Sequence, residues 1–193
     1  MDASKRTRLL KAAVKVFARD GFFKAKVEEI ARMANVATGT TYLYFENKDD
    51  LLISIFEEEM VPIIEAAEKA VSGQTTAFDK IVAFITNHLR MVQESPDMAQ
   101  LLEVELRQSS KFIHTYSGTK FKEYLDIIAR IVAEGQENGE FRSDIHPSIF
   151  KQMLFGAIDQ ICLNWTLSKS KKYDLEKSGK QIAAITLNGI SNR

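Results

Sequence analysis

Apolar residues recur at three- and four-residue spacing along almost the whole chain. No stretch of useful length alternates them with the period of two that a half-buried strand needs. That periodicity restricts the fold to helices. Three Pro and nine Gly among 193 residues leave few places for tight turns, which argues against a β-sandwich in the same sense. At 45% hydrophobic and 27% charged, the chain can bury a sizeable core rather than remain disordered. Its length suits one domain, or a small domain joined to a larger one.

Start and stop signals cut the pattern into about nine helices. Residues 4–20 carry Leu9, Ala13, Val16 and Phe17 on one face, and Gly21 supplies the stop. A short helix follows over about 27–34, with Glu28 and Glu29 in the first turn, where the helix dipole favours negative charge. Asn35 and Val36 break it, and a third helix is expected over 38–45. Asn47 is a good N-cap for a long fourth helix, in which Pro62 removes a backbone donor and predicts a kink or a break. Further helices are expected at 76–93, from 96 through Leu106, at 110–136, at 146–168 and at 174–189.

The second-last helix is apolar on two sides. Phe150, Leu154, Ala157, Ile158, Ile161 and Trp165 form one face, and Ile149, Met153, Gly156, Leu163 and Leu167 form another. Both sides need cover. A partner subunit against the last two helices is the economical cover in so small a chain, with Gly156 permitting close approach; a central core helix in a monomer is the other possibility.

Net charge hides an asymmetry. Lys+Arg and Asp+Glu number 26 each, yet the first 26 residues hold eight basic side chains against two acidic, a net of +6. A basic front on an acidic body points to an anion-binding head; a solvated helix face is the plainer explanation of the same charges. Two short helices joined by a tight turn and preceded by a basic helix have helix-turn-helix geometry, whose second helix lies in the major groove of DNA. Thr38, Thr40 and Thr41 then offer hydroxyls to phosphates and base edges, and Gly39 lets the backbone approach without a Cβ. Tyr42 and Tyr44 bond phosphates with rigid side chains, Phe45 anchors the helix, and Lys48 reaches a phosphate as a point charge. As ordinary core aromatics, Tyr42 and Tyr44 would leave the Thr-Gly-Thr-Thr run unexplained.

Gly21-Phe22, the run from Val27 to Ala31, Val36, Gly39, the run from Tyr42 to Lys48, and Leu51-Leu52 together resemble the DNA-binding domain of TetR-family transcriptional regulators. The match covers about residues 5–55. Lys26 stands where that family often has a Thr that caps the second helix and touches a phosphate; Lys26 keeps the phosphate contact and loses the cap. The resemblance implies a DNA-binding domain over 1–48, a helical ligand-binding and dimerisation domain over 49–193, and repression of a palindromic operator released by a small molecule. Matching the family's DNA contacts are Thr38, Gly39, Thr40, Tyr42, Tyr44 and Lys48.

In the body, the run from Glu105 to Ser109, Glu134-Gly135 with Asn138-Gly139-Glu140, and the segment from Met153 to Trp165 resemble the subgroup that responds to long-chain fatty acyl-CoA and governs fatty acid degradation. Phe84, Leu101, Leu106, Tyr124, Ile128, Phe155 and Trp165 suit an apolar tunnel for an acyl chain, and Arg107 suits a CoA phosphate. Plain core explains the same apolar residues, and an ion pair with a neighbouring Glu explains Arg107. Within the family, the runner-up is a regulator of an efflux pump or other operon that senses a different hydrophobic compound.

Other functions find little support. His88, His114 and His146 lie 26 and 32 residues apart, without HExxH or a Cys/His cluster, so neither a metal site nor a catalytic one is expected. GxSxG, the P-loop and GxGxxG are absent, and no cofactor is expected. The single Cys162 reads as inert core and fits a reducing compartment. No signal-like apolar segment follows the N-terminus, and the apolar run at 127–133 is interrupted by Arg130, so a cytoplasmic location is expected. A helical adaptor that never meets DNA is the remaining alternative, and the basic head argues against it.

Overall fold

The computed structural model describes residues 3–101, 120–168, 170 and 174–191. These residues form nine helices, α1 (Ala3–Asp20), α2 (Val27–Met33), α3 (Thr38–Thr41), α4 (Lys48–Ser72), α5 (Ala77–Glu94), α6 (Pro96–Gln100), α7 (Lys120–Glu137), α8 (Pro147–Leu167) and α9 (Leu175–Ile190). Among the described residues no helix is long and apolar enough to cross a membrane. The chain separates into two compact units, one of Met1–Glu59 with Ser95–Ser117, the other of Met60–Glu94 with Gly118–Arg193.

In the first unit α1 buries Leu9, Ala13, Val16 and Phe17 completely, the stripe expected from its spacing. Gly21 ends the helix with φ 77°, and its amide donates to the Phe17 carbonyl at 2.9 Å, a left-handed stop that glycine adopts without a Cβ penalty. The turn between α2 and α3 passes through Asn35 at φ 54°. Asn is one of the few non-glycine residues that tolerate this region. At the start of α4, Asn47 accepts from the Asp50 amide at 2.9 Å, the expected cap, while the Asp50 carboxylate accepts from the Glu46 amide at 2.9 Å.

One expectation fails locally, and of the kink or break expected at Pro62 the break does not occur. The third helix stops at Thr41, with a turn carrying the chain on to Tyr44, rather than reaching Phe45. Pro62 lies inside α4 without ending it. Pro62 is exposed, so the carbonyl its ring frees, one turn earlier, is met by solvent instead of being stranded in the core.

The second unit packs α5 against α7 and α9, with α8 laid on α7 and α9. The Glu-Gly and Asn-Gly-Glu residues of the body have structural work here. Glu134 pairs with Lys80, and the Glu140 carboxylate accepts from the Ala77 amide at 3.0 Å, capping α5. A Cβ at Gly135 would stand 2.4 Å from the Phe141 ring and 2.8 Å from Ala77 Cβ, so only glycine fits between them. Asp174 caps α9 by accepting from the Lys177 amide at 3.1 Å.

Candidate nucleic-acid interface and apolar core

The segment from Thr38 to Lys48 divides into an inward and an outward face. Thr41 and Phe45, four residues apart, point inward and are 1% and 2% exposed. Thr41 was expected to offer its hydroxyl outward; it lies in the core, where Oγ1 has no hydrogen-bond partner among the described residues. Gly39 and Tyr42 are exposed, and Thr38, Thr40 and Tyr44 are half-buried. A Cβ added at Gly39 would meet nothing within 4 Å among the described residues, whose packing does not require glycine there. Leu43, which the sequence did not mark, stands 67% exposed between the two tyrosines.

Lys26 occupies the N-cap position of α2 with an exposed side chain that makes no capping bond. Glu28 and Glu29 supply negative charge to that helix start instead. Glu29 also binds Arg32 at 2.7 Å and Arg19 at 3.4 Å, and these guanidinium groups, Arg32 first, hold its carboxyl below the ordinary range.

Lys48, expected to reach a phosphate, also has partners within the head. Its Nζ donates to the Phe23 carbonyl at 3.0 Å and the Ala25 carbonyl at 3.2 Å, and stands 4.7 Å from the centre of the Phe22 ring. The ammonium is therefore committed to the loop before α2. Arg6 similarly pairs with Glu58 and lies over the Phe45 ring at 5.4 Å. By contrast, Arg8, Lys11 and Lys15 line a shallow exposed groove with Met33 and Ala34, next to the turn that leads into α3.

In the second unit the expected apolar lining is brought together in part. The rings of Phe84 and Tyr124 lie 4.9 Å apart, and Phe155 meets Tyr124 at 6.4 Å and Phe121 at 5.2 Å. Ile128, one turn beyond Tyr124 on α7, is fully buried. Trp165 is half-buried on α8, about 15 Å beyond Phe155 by the helical rise. Leu101 is buried but belongs to the first compact unit. Leu106 and Arg107 lie outside the described residues.

Sequence reasoning passed over the polar member of this cluster. His88 is 4% exposed, its Nδ1 lies 2.8 Å from the Tyr124 hydroxyl, and its Nε2 has no hydrogen-bond partner among the described residues. Burial pushes its pKa down to about 4, against a smaller upward pull from Asp159, so the ring is neutral at pH 7. The available signal was a polar residue one turn after Phe84 on the apolar stripe of α5. Among the described residues no group of His, Cys, Asp and Glu is arranged to hold a metal ion.

Helices α8 and α9 expose what the body does not cover. Phe150, Leu154, Ile158 and Cys162 are buried on one side of α8, while Ile149, Met153 and Leu167 are 68%, 51% and 58% exposed. Ile185 of α9 is 75% exposed. Ile149, Met153 and Ile185 border an apolar groove of ≈ 530 Å³, and a Cβ at Gly156 would meet nothing within 4 Å.

Two family models match the chain in succession. Residues 9–55 match the bacterial regulatory proteins of the tetR family, and residues 56–189 match the YsiA-like protein C-terminal region. The fatty acid metabolism regulator protein of Bacillus subtilis is 34% identical over 186 residues, which span 96% of this chain and 95% of that one. The crystal structure of the transcriptional regulator FadR from Bacillus subtilis in complex with stearoyl-CoA superposes with a TM-score of 0.88 at 34% identity, over 95% of this chain and 98% of that chain. The fatty acid degradation regulator FadR from Bacillus halodurans superposes with a TM-score of 0.86 at 33% identity, again over 95% and 98% of the two chains.

Proposed function

The chain belongs to the TetR family of bacterial regulatory proteins, and from that premise we propose that it is a transcriptional repressor of fatty acid degradation genes, released from its operator by long-chain fatty acyl-CoA. The observation that carries this is likeness over the whole chain, head and body alike, to a regulator whose structure holds stearoyl-CoA. In this account the protein is not an enzyme, acts in the cytoplasm, and uses residues 1–48 to read DNA and residues 49–193 to bind effector and partner.

DNA recognition falls to the outward face of the head. Thr38, Thr40, Tyr42 and Tyr44 meet phosphates and base edges, Lys26 meets a phosphate, and the bare backbone at Gly39 admits the duplex closely. The open space around Gly39 supports this role, because nothing among the described residues demands the missing Cβ. Lys48 acts by holding the loop before α2 in place, with phosphate contact secondary to its three internal partners.

A second copy of the chain covers the apolar faces of α8 and α9. Four large aliphatic side chains more than half exposed along one helix pair exceed the scattered apolar exposure of a monomer surface. A two-fold pair then presents two heads to a palindromic site, with half-site centres roughly 34–36 Å apart. Long acyl chains enter the aromatic cluster of Phe84, Tyr124, Ile128 and Phe155. Effector that binds better to the form unable to hold the operator shifts the population to that form; a tenfold loss of operator affinity requires about 1.4 kcal/mol of differential binding.

Electrophoretic mobility shifts on a palindromic operator, with palmitoyl-CoA added, test both halves. Release by palmitoyl-CoA and not by free CoA supports the proposal. Retarded DNA that is unaffected at every chain length would leave a repressor of another hydrophobic effector. Native mass spectrometry of the same preparation should give the mass of a dimer.

A further inference from the structure

We propose that His88 Nε2 is a hydrogen-bond donor to the thioester carbonyl of the effector, a polar anchor set within the apolar cluster that holds the chain. The inference rests on the acyl-CoA reading above and adds to it the atom that recognises something other than hydrocarbon.

The position is anomalous for a core. Helix α5 buries Ile81, Phe84, Ile85, Leu89 and Val92, and an aliphatic or aromatic residue at 88 would continue that stripe. The chain instead places an imidazole there, with Phe84 one turn before it on the helix, the Tyr124 ring centre 5.9 Å away and the Phe155 ring edge-on at 5.8 Å. A buried polar atom without a partner costs about 1–3 kcal/mol, and such atoms are rare enough in folded proteins that each needs a cause.

Tyr124 decides which nitrogen is spare. A neutral imidazole carries one N–H. In the proposed arrangement the Tyr124 hydroxyl donates to Nδ1, 2.8 Å away, so the proton resides on Nε2 and the same bond fixes the ring plane. The donor left over is neutral, sits among rings and suits a neutral acceptor. A carboxylate would bring an uncompensated charge into the same cluster at far greater cost. The carbonyl of a thioester is the acceptor that a long-chain acyl-CoA carries at the head of its hydrocarbon. Pairing with it satisfies Nε2–H, so the free-energy penalty in the unliganded protein becomes part of the selectivity for the effector.

The test compares palmitoyl-CoA with S-hexadecyl-CoA, the thioether that keeps the chain and the CoA but lacks the carbonyl. Affinities are measured by calorimetry on the full-length protein. The wild type is expected to bind the thioester about five- to tenfold more tightly, in keeping with the net worth of one neutral hydrogen bond. His88→Leu should reduce that preference to within twofold while leaving thioether affinity little changed, and His88→Gln, which retains an N–H donor, should restore part of it. His88→Met is a second apolar variant should His88→Leu fail to fold. Equal affinity of the wild type for the two compounds overturns the anchor and leaves the acyl-CoA reading standing, as does a preference that survives His88→Leu or His88→Met. Binding of neither compound overturns the acyl-CoA reading and the anchor together.

Discussion

In the first compact unit, the outward side chains of the segment 38–44 are hydroxyls, phenols and one leucine, and Thr41 faces in. The second unit reverses this arrangement, sealing an imidazole and a phenol among aromatic rings while Ile149, Met153 and Ile185 stand in the open. The two regions expose what their proposed partners require. A surface that meets a polyanion stays hydrated when alone and loses little by waiting. A cluster that meets a hydrocarbon has to be formed inside the protein, and a face that meets a second subunit has to be apolar before that subunit arrives.

The largest effect that can break this comparison is at Tyr42. A contact to a phosphate or base edge is worth about 1–3 kcal/mol and a dimer makes it twice, so Tyr42→Ala should weaken operator binding about thirtyfold or more. Palmitoyl-CoA affinity should stay within twofold in the same variant. A parallel loss of both, by mobility shift and calorimetry, would show that the two regions are not separable.

A smaller effect sharpens the description of the body. Burial holds His88 at about 4 against an ordinary 6.5, so on acidification the unfolded chain takes up this proton first. Stability tied to the neutral ring is complete above pH 6.5 and is lost as pH falls toward 4, up to about 3 kcal/mol. The Tyr124 hydroxyl and the Asp159 carboxylate are the groups that modulate it. Urea unfolding of the wild type and His88→Leu between pH 7 and pH 4.5 should therefore diverge, with the variant losing less. Parallel curves would mean that the ring is solvated.

The smallest effect separates fold from recognition in the head. Gly39→Ala places a methyl group in open space within a helix, so thermal stability should rise by up to about 1 kcal/mol. Operator affinity should nevertheless fall, because the methyl occupies space proposed for the duplex. A variant that binds DNA as well as the wild type would remove Gly39 from the interface.

Most of the helices were legible because a 3.6-residue stripe repeats over several turns; α1 buries Leu9, Ala13, Val16 and Phe17, the residues its spacing names. What the sequence concealed depends on through-space partners. Lys48 finds two carbonyls 25 and 23 residues away, which no local pattern announces. Thr41 shares a hydroxyl with its half-buried neighbours Thr38 and Thr40 and differs in lying one turn before Phe45 on the inward side. Pro62 does not end its helix, and its exposure leaves the freed carbonyl to solvent. His88 was visible as an exception on an apolar stripe, but its meaning needed Tyr124, 36 residues further along.

The Lys48 contact also has a polymer consequence. It joins the start of α4 to Phe23 and Ala25, and so closes a ring of about 25 residues around α2, the turn and α3. Closing a loop of this size removes much of the wandering open to its ends, a cost that grows only slowly with loop length and that here is met by a single ammonium. The reading segment is thus a loop fastened at its neck.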